Sequence, residues 1–352
     1  MQRGGRPIRY YRVVISDPDT GQVITPPGFT GLLGGATYTS FVNGQSLPGA
    51  WNVELDIPVI GQATPQGSAL ARVWGISQQE ISQANNLNGM NISIFGGMQA
   101  GLPLANPAQA GLLVQGFIFQ AFGNWINTDM TLDFVINAGS GSSSANQGLG
   151  TLKAPKNLVL NWLTGSTLAS ALTTTLQTAF PGLTVKMNIN SGLVRPNDEI
   201  AFFPTLEQLS QFVLQTSLDI IKTTNYPGVS IVVAQNTITV SDGSGAAPAA
   251  MQINFQDLIG QPTWIEAPNI SIKTVMRGDL SVGQQIMLPQ ALVTNTAAAS
   301  TSLVNQSATF QGGFTIISER HVGNFRQPSA DSWVTVLEAA PNQVTGAGSA
   351  AT

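Results

Sequence analysis

"HVGNFRQPSADSWVTVLEAA", residues 321–340, contains the only histidine of a 352-residue chain. Two readings compete for it. As an active-site segment it would need His321 as a base, with a nucleophile and an acid brought to it by the fold. As a structural segment its second half is a strand: Val334 and Val336 fall on one face, Leu337 and Ala339 on the other, and Trp333 anchors one end. His321 and Arg326 then organise a polar turn or a subunit contact.

Composition favours the structural reading. Asp, Glu, Lys and Arg make up 9% of the chain, against roughly 25% in ordinary soluble domains. Ser, Thr, Asn and Gln carry the polarity instead. With 43% hydrophobic residues and a net charge of −4, the chain is not of disordered composition. A surface with so few charges is poorly protected against association and suits a subunit covered by its neighbours. The 37 glycines and 20 prolines favour strands and turns over long helices. No cysteine is present, which removes disulfides, thiolate metal sites and cysteine nucleophiles. The first residues show no apolar signal-peptide core. The longest apolar run, Leu112 to Phe122, is too short for a membrane helix, so no membrane segment and a soluble intracellular product are expected.

Three modules are expected along the chain. Residues 1–148 are strand-rich. "YRVVISDPDTGQVI" reads as a hairpin around an Asp-Pro-Asp-Thr-Gly turn, which lacks the further ligands of a calcium loop. "WNVELDIPV" alternates as a strand and puts Glu54 and Asp56 on one face. Paired carboxylates can do acid/base work, but with no cation or histidine near in sequence an exposed or channel-facing surface is the better reading. Arg3, Arg6, Arg9 and Arg12 suggest a docked strand end in preference to a nucleic-acid arm. A Gly/Ser-rich connection follows, from Asn137 to Asn157.

Residues 149–250 form an α+β insert. One helix carries Leu168, Ala171, Leu172, Leu176 and Ala179 on a stripe and ends at Pro181-Gly182. A second begins at a Thr205/Gln208 capping box, with Leu209, Phe212, Val213 and Ile220 on its apolar face. "VSIVVAQNTITV" reads as a hairpin turning at Gln235-Asn236. Residues 251–340 are strand-rich again, and 341–352 form a flexible tail. Two uncharged stretches, Ile81 to Thr128 and Leu280 to Ser318, suit sheets packed against neighbouring subunits.

Motifs of chemistry are few. No G-x-S-x-G elbow, phosphate-binding G-x-x-x-x-G-K-[ST] loop or dinucleotide fingerprint occurs. One histidine supplies at most one imidazole ligand, so no metal or cofactor is expected. The sequons at Asn91 and Asn269 carry little weight without a secretory signal. The Arg277-Gly278-Asp279 triplet reads as a tight turn between strands in preference to an adhesive motif. Trp264 and Trp333 are read as domain core in preference to interface anchors.

"INFQDLIGQPTWIEAPNISIKTVMRGDLSVGQQIMLP" followed by "HVGNFRQPSADSWVTVLEAA" resembles the C-terminal tube-type domain of the central baseplate hub of contractile-tailed bacteriophages. The resemblance covers about 90 residues in detail and the rest by order of modules. It implies a mainly β chain in which two tail-tube-like barrels flank a helix-containing insert. It also implies a homotrimer that presents a pseudo-six-fold ring to the tail tube protein and a three-fold end to the central spike protein. The tape-measure protein and DNA would pass through the channel, DNA without specific binding, and Glu54 and Asp56 would face that lumen or an outer polar surface. Trp264, Arg277, Asp279, His321, Arg326 and Trp333 would serve as interface or barrel-anchoring residues. The protein would be a virion component, assembled in the host cytoplasm, and not an enzyme. Alternatives are a distal tail or tube-terminating protein, a tail-associated glycan-cleaving enzyme, and a receptor-binding module.

Overall fold

The computed structural model describes residues 8–27, 33–60, 68–99, 106–138, 157–223, 226–234, 237–244, 250–266, 269–289 and 313–341. Arg3 and Arg6, most of the Gly/Ser-rich connection, the Gln235-Asn236 turn and the tail beyond 341 lie outside them.

The chain is mainly β. Its first part contributes β1 (Ile8–Ser16), β2 (Tyr38–Thr39), β3 (Phe41–Val42), β4 (Gln45–Ser46), β5 (Asn52–Ile60) and β6 (Ser68–Trp74). Helix α1 (Gln78–Gln83) precedes β7 (Asn91–Gln99), β8 (Gly111–Ile126) and β9 (Asp129–Ala138). The middle runs β10 (Leu158–Trp162), α2 (Leu168–Ala179), β11 (Thr184–Asn188), β12 (Glu199–Phe203), α3 (Leu206–Ile221), β13 (Ser230–Ala234) and β14 (Thr237–Ser241). The last part holds β15 (Met251–Gln252), β16 (Thr263–Glu266), β17 (Asn269–Val275), β18 (Gln285–Met287), β19 (Gly313–Asn324) and β20 (Trp333–Pro341).

Both strand-rich parts belong to one 13-stranded sheet, whose main path is β16-β17-β20-β19-β5-β6-β9-β8-β7-β1-β2. The join is the antiparallel β19–β5 pair, with His321 opposite Ile57 and Asn324 opposite Glu54. Period-two patterning explains the burial. In β5, Val53, Leu55 and Ile57 point inward and are buried, while Glu54, Asp56 and Pro58 point outward. Strand β6 alternates in the same sense, with Ala69, Ala71 and Val73 buried.

Three hydrophobic clusters result among the described residues. One lies under the first lobe and takes Val275, Met276 and Trp333 from the last part of the chain. The second is the insert's own, built on Leu158, Leu160, Trp162, Leu172, Leu176, Leu209 and Val213. The third lies under the last lobe and includes Val232 of β13, so the insert packs onto that lobe.

The insert follows the sequence pattern closely. Helix α2 buries Leu168, Ala171, Leu172 and Leu176, and the Thr167 hydroxyl caps it by accepting the Ser170 N–H. Helix α3 buries Leu209 and Val213, with Phe212 and Ile220 partly buried, and the Thr205 hydroxyl accepts the Gln208 N–H at 3.3 Å. Strands β13 and β14 pair antiparallel across the undescribed turn.

Three local expectations change. Helix α1, within a region read as strands and loops, is set by a Ser77/Glu80 capping box. The segment carrying Arg277 and Asp279 is not a tight turn: β17 pairs with β16 and β20 while β18 pairs with β15 and β19, so residues 276–284 cross between different neighbours. The first hairpin has one full strand, and its return is a single bridge from Ser16 to Val23. Its turn forms because Asp17 Oδ1 accepts the N–H groups of Asp19 and Thr20 at 2.9 and 2.8 Å.

Candidate functional site

Among the described residues, two places bring polar side chains of both lobes together. The first is the outward face of the joined sheet. A row of side chains crosses five strands there: Asn124, Asp133, Arg72, Glu54 and Asn324, on β8, β9, β6, β5 and β19. Asn324 Nδ2 donates to Glu54 Oε1 at 2.7 Å, and Arg72 Nη1 lies 3.9 Å from Glu54 Oε2. Arg72 Nε and Asn124 Nδ2 both donate to the Asp133 carboxylate. Beside the row, Arg320 grips Asp56 with two parallel bonds of 2.7 Å. This hydrogen bonding raises the Arg320 pKa. Leu70 and Phe122 flank these groups, and a shallow depression of about 380 Å³ is lined by Glu54, Asp56, Leu70, Arg72, Phe122 and Asp133.

Glu54 and Asp56 therefore share an exposed strand face, as the alternation predicts. Their partners were not legible. Arg320 is 264 positions from Asp56, and the sheet register alone brings it there. Arg72 and Arg320 are each held by a carboxylate on a neighbouring strand, so the face presents compensated charge.

The second place is buried between the lobes. Arg277 is 2% exposed. It donates to Asp279 through Nε at 2.6 Å and Nη2 at 2.7 Å, and Nη1 approaches Asp257 Oδ2 at 3.4 Å. Gln109, from the first lobe, donates to Asp257 Oδ1 at 3.1 Å. Thr335 Oγ1 accepts the Arg277 N–H at 3.1 Å and reaches the Arg277 carbonyl at 3.2 Å. His321 Nδ1 meets the same hydroxyl at 2.9 Å, and His321 Nε2 lies 3.5 Å from Glu319 Oε1. Glu319 and His321 are two apart on one strand and project inward together.

Burial dominates both groups. It raises Glu319 from its ordinary value to about 8, with Asp279 adding to the rise and Arg277 opposing it. It lowers His321 to about 4. Both charged forms lose hydration here, so both groups are held neutral near pH 6. His321 lies within β19 and not in the polar turn expected for it, because the strand runs on to Asn324 to pair with β5.

Arg326 does sit in the β19–β20 connection. Its N–H donates to Asn52 Oδ1 at 3.0 Å and its guanidinium to the Ala50 carbonyl. Arg9 ties the same connection by donating to the carbonyls of Asn324, Phe325, Gln327 and Ser329. Arg12 reaches the Gly35 carbonyl at 3.2 Å and lies over the Phe95 ring. Trp333 is buried in the first lobe's core and donates its indole N–H to the Gly97 carbonyl at 2.9 Å. Trp264, by contrast, is 48% exposed on β16 at the end of the sheet path. Among the described residues, no group of three or more His, Asp and Glu side chains could hold a metal ion, and no helix is long and apolar enough to cross a membrane.

No protein-family model and no curated protein matches the chain. Solved structures that it resembles include the 43 kDa tail protein of prophage MuSo2 from Shewanella oneidensis, at 7% identity and a TM-score of 0.49, over 95% of this chain and 98% of that one. A tail protein from Neisseria meningitidis is similar at 10% identity and a TM-score of 0.44, over 94% and 96%. A Francisella PdpA–VgrG complex matches at 8% identity and a TM-score of 0.44, over 96% of this chain and 58% of that one.

Proposed function

We propose that this chain is a structural protein of a contractile bacteriophage tail: a baseplate hub subunit that joins the tail tube to the central spike. The observation that carries this reading is the β19–β5 pairing, which makes one sheet of both lobes. A chain built so offers two strand-rich segments side by side. Three copies would offer six, which meets a six-fold tube on one side and keeps three-fold symmetry for the spike on the other. In this reading, residues 1–148 and 251–340 are the tube-like units and 149–250 is the insert between them. The outward face carrying Glu54 and Asp56 lines the channel for DNA and the tape-measure protein. The resemblance of residues 253–289 and 321–340 to the hub's tube-type domain supports the same assignment.

The test is mass and symmetry in solution. Light scattering on the purified chain should give three times the 36.9 kDa subunit mass, and averaged micrographs a ring with three-fold symmetry. A hexameric ring points to a distal tail protein instead. A stable monomer at micromolar concentration, or glycan hydrolysis lost on replacing one carboxylate, defeats the hub reading.

A further inference from the structure

Beside the β19–β5 pairing, a few specific contacts cross the junction between the lobes. Gly278 N–H donates to the Gln109 carbonyl at 2.8 Å, and the backbones of Gly111 and Gly278 meet so closely that a Cβ on Gly278 would lie 2.8 Å from the Gly111 carbonyl carbon. The Trp333 indole crosses to Gly97. Behind these contacts stands the Arg277–Thr335–His321–Glu319 chain, which serves neither the outward sheet face nor any subunit contact described above.

Two proton arrangements fit these contacts, with the Thr335 hydroxyl donating either to His321 Nδ1 or to the Arg277 carbonyl; the second also gives that carbonyl a donor. Thr335 has one hydroxyl proton. Pointed at the Arg277 carbonyl, it leaves the oxygen free to accept from the Arg277 N–H and from His321 Nδ1. His321 is then the Nδ1–H tautomer, and its bare Nε2 faces Glu319 Oε1. That oxygen is buried and has no hydrogen-bond partner. A buried acceptor opposite a buried acceptor is repulsive; a protonated Glu319 turns the contact into a donor–acceptor pair.

We propose that Glu319 and His321 form a proton-sharing pair that locks the junction between the two lobes, and that ionising either group loosens it. The charged groups facing the pair are Arg277 and Asp279 from the 276–284 segment, with Asp257 behind Arg277 from the 3-10 turn Phe255–Asp257. Arg320 and Asp56 lie on the opposite face of the sheet.

The direction with pH follows from linkage. Glu319 is raised in the folded chain, so its contribution is full below its ordinary value of 4.5 and is lost as pH rises towards about 8. His321 is lowered, so its contribution is full above 6.5 and is lost as pH falls towards about 4. The lock is strongest between about 4.5 and 6.5 and weakens on both sides.

A single histidine makes the test direct. The full chain, labelled with 15N-histidine, should show one imidazole in the neutral Nδ1–H form from pH 5 to 7. Its shifts should step near pH 8, when Glu319 ionises. Hydrogen exchange at the Gly278 amide and the Trp333 indole, which bridge the lobes, should quicken over the same interval beyond the intrinsic pH effect. Glu319→Gln keeps a donor to Nε2 and cannot ionise, so both changes near pH 8 should vanish while the tautomer persists. An imidazole titrating near 6.5 in the unsubstituted chain overturns the proposal, even if the variant fails to fold. So does junction exchange in Glu319→Gln that follows the parent's pH dependence.

Discussion

Gly278 shows how little room the junction leaves for one atom. A methyl group there would meet the Gly111 backbone at 2.8–3.0 Å, and backbone cannot swing aside as a flexible side chain can. Gly278→Ala should cost about 1–3 kcal/mol, the usual range for overpacking. Gly49→Ala is the control, since nothing lies within 4 Å of its added carbon, and it should stay within about 0.5 kcal/mol. Urea midpoints of the two variants decide it; equal midpoints would remove the close contact from the account. The same residue explains the Arg-Gly-Asp triplet. Glycine lets the backbone touch the other lobe, while the buried arginine is committed to the partly exposed aspartate.

Among the elements, legibility tracked how local the cause was. Helices α2 and α3 were readable because period, cap and stop all lie within a dozen or so residues. Strand β5 and the shared face of Glu54 and Asp56 were readable for the same reason. What closes over them was not: Arg72, Asp133 and Arg320 reach the site through strand registers that no local pattern encodes. Glu319-Arg320-His321 did carry a hint, since ionisable residues two apart on a strand must share a face, and with hydrophobic neighbours that face is inward. Helix α1 was missed although Ser77 and Glu80 stand at capping-box spacing. The structure gives that box a second duty, because buried Glu80 also accepts the Tyr38 hydroxyl at 2.9 Å while bonding the Ser77 N–H at 2.7 Å. Ser77→Ala should therefore cost about 1 kcal/mol, and amides of α1 should exchange faster. Protection unchanged in α1 would show that packing on β8 and β9, not the cap, holds the helix.

At the scale of the whole molecule, the outward sheet face makes the sharpest demand on the proposed channel. A lining that passes DNA must not hold phosphates, yet Arg72 and Arg320 stand on that face. Their carboxylate partners on adjacent strands reconcile the two, because a guanidinium committed to Asp133 or Asp56 has spent its best donors. Removing the partners without changing shape should expose both cations. The triple variant Glu54→Gln, Asp56→Asn, Asp133→Asn is expected to retain duplex DNA at low salt where the parent does not. Two freed arginines imply a salt slope of about −1.8 in log–log form, from about 0.9 per neutralised phosphate. Adding Arg72→Gln and Arg320→Gln should abolish the gain. Filter binding across a salt series measures all three proteins. A triple variant that binds no better than the parent would mean that ion pairing on this face does not control contact with a polyanion, and the channel-lining role would have to move to another surface of the sheet.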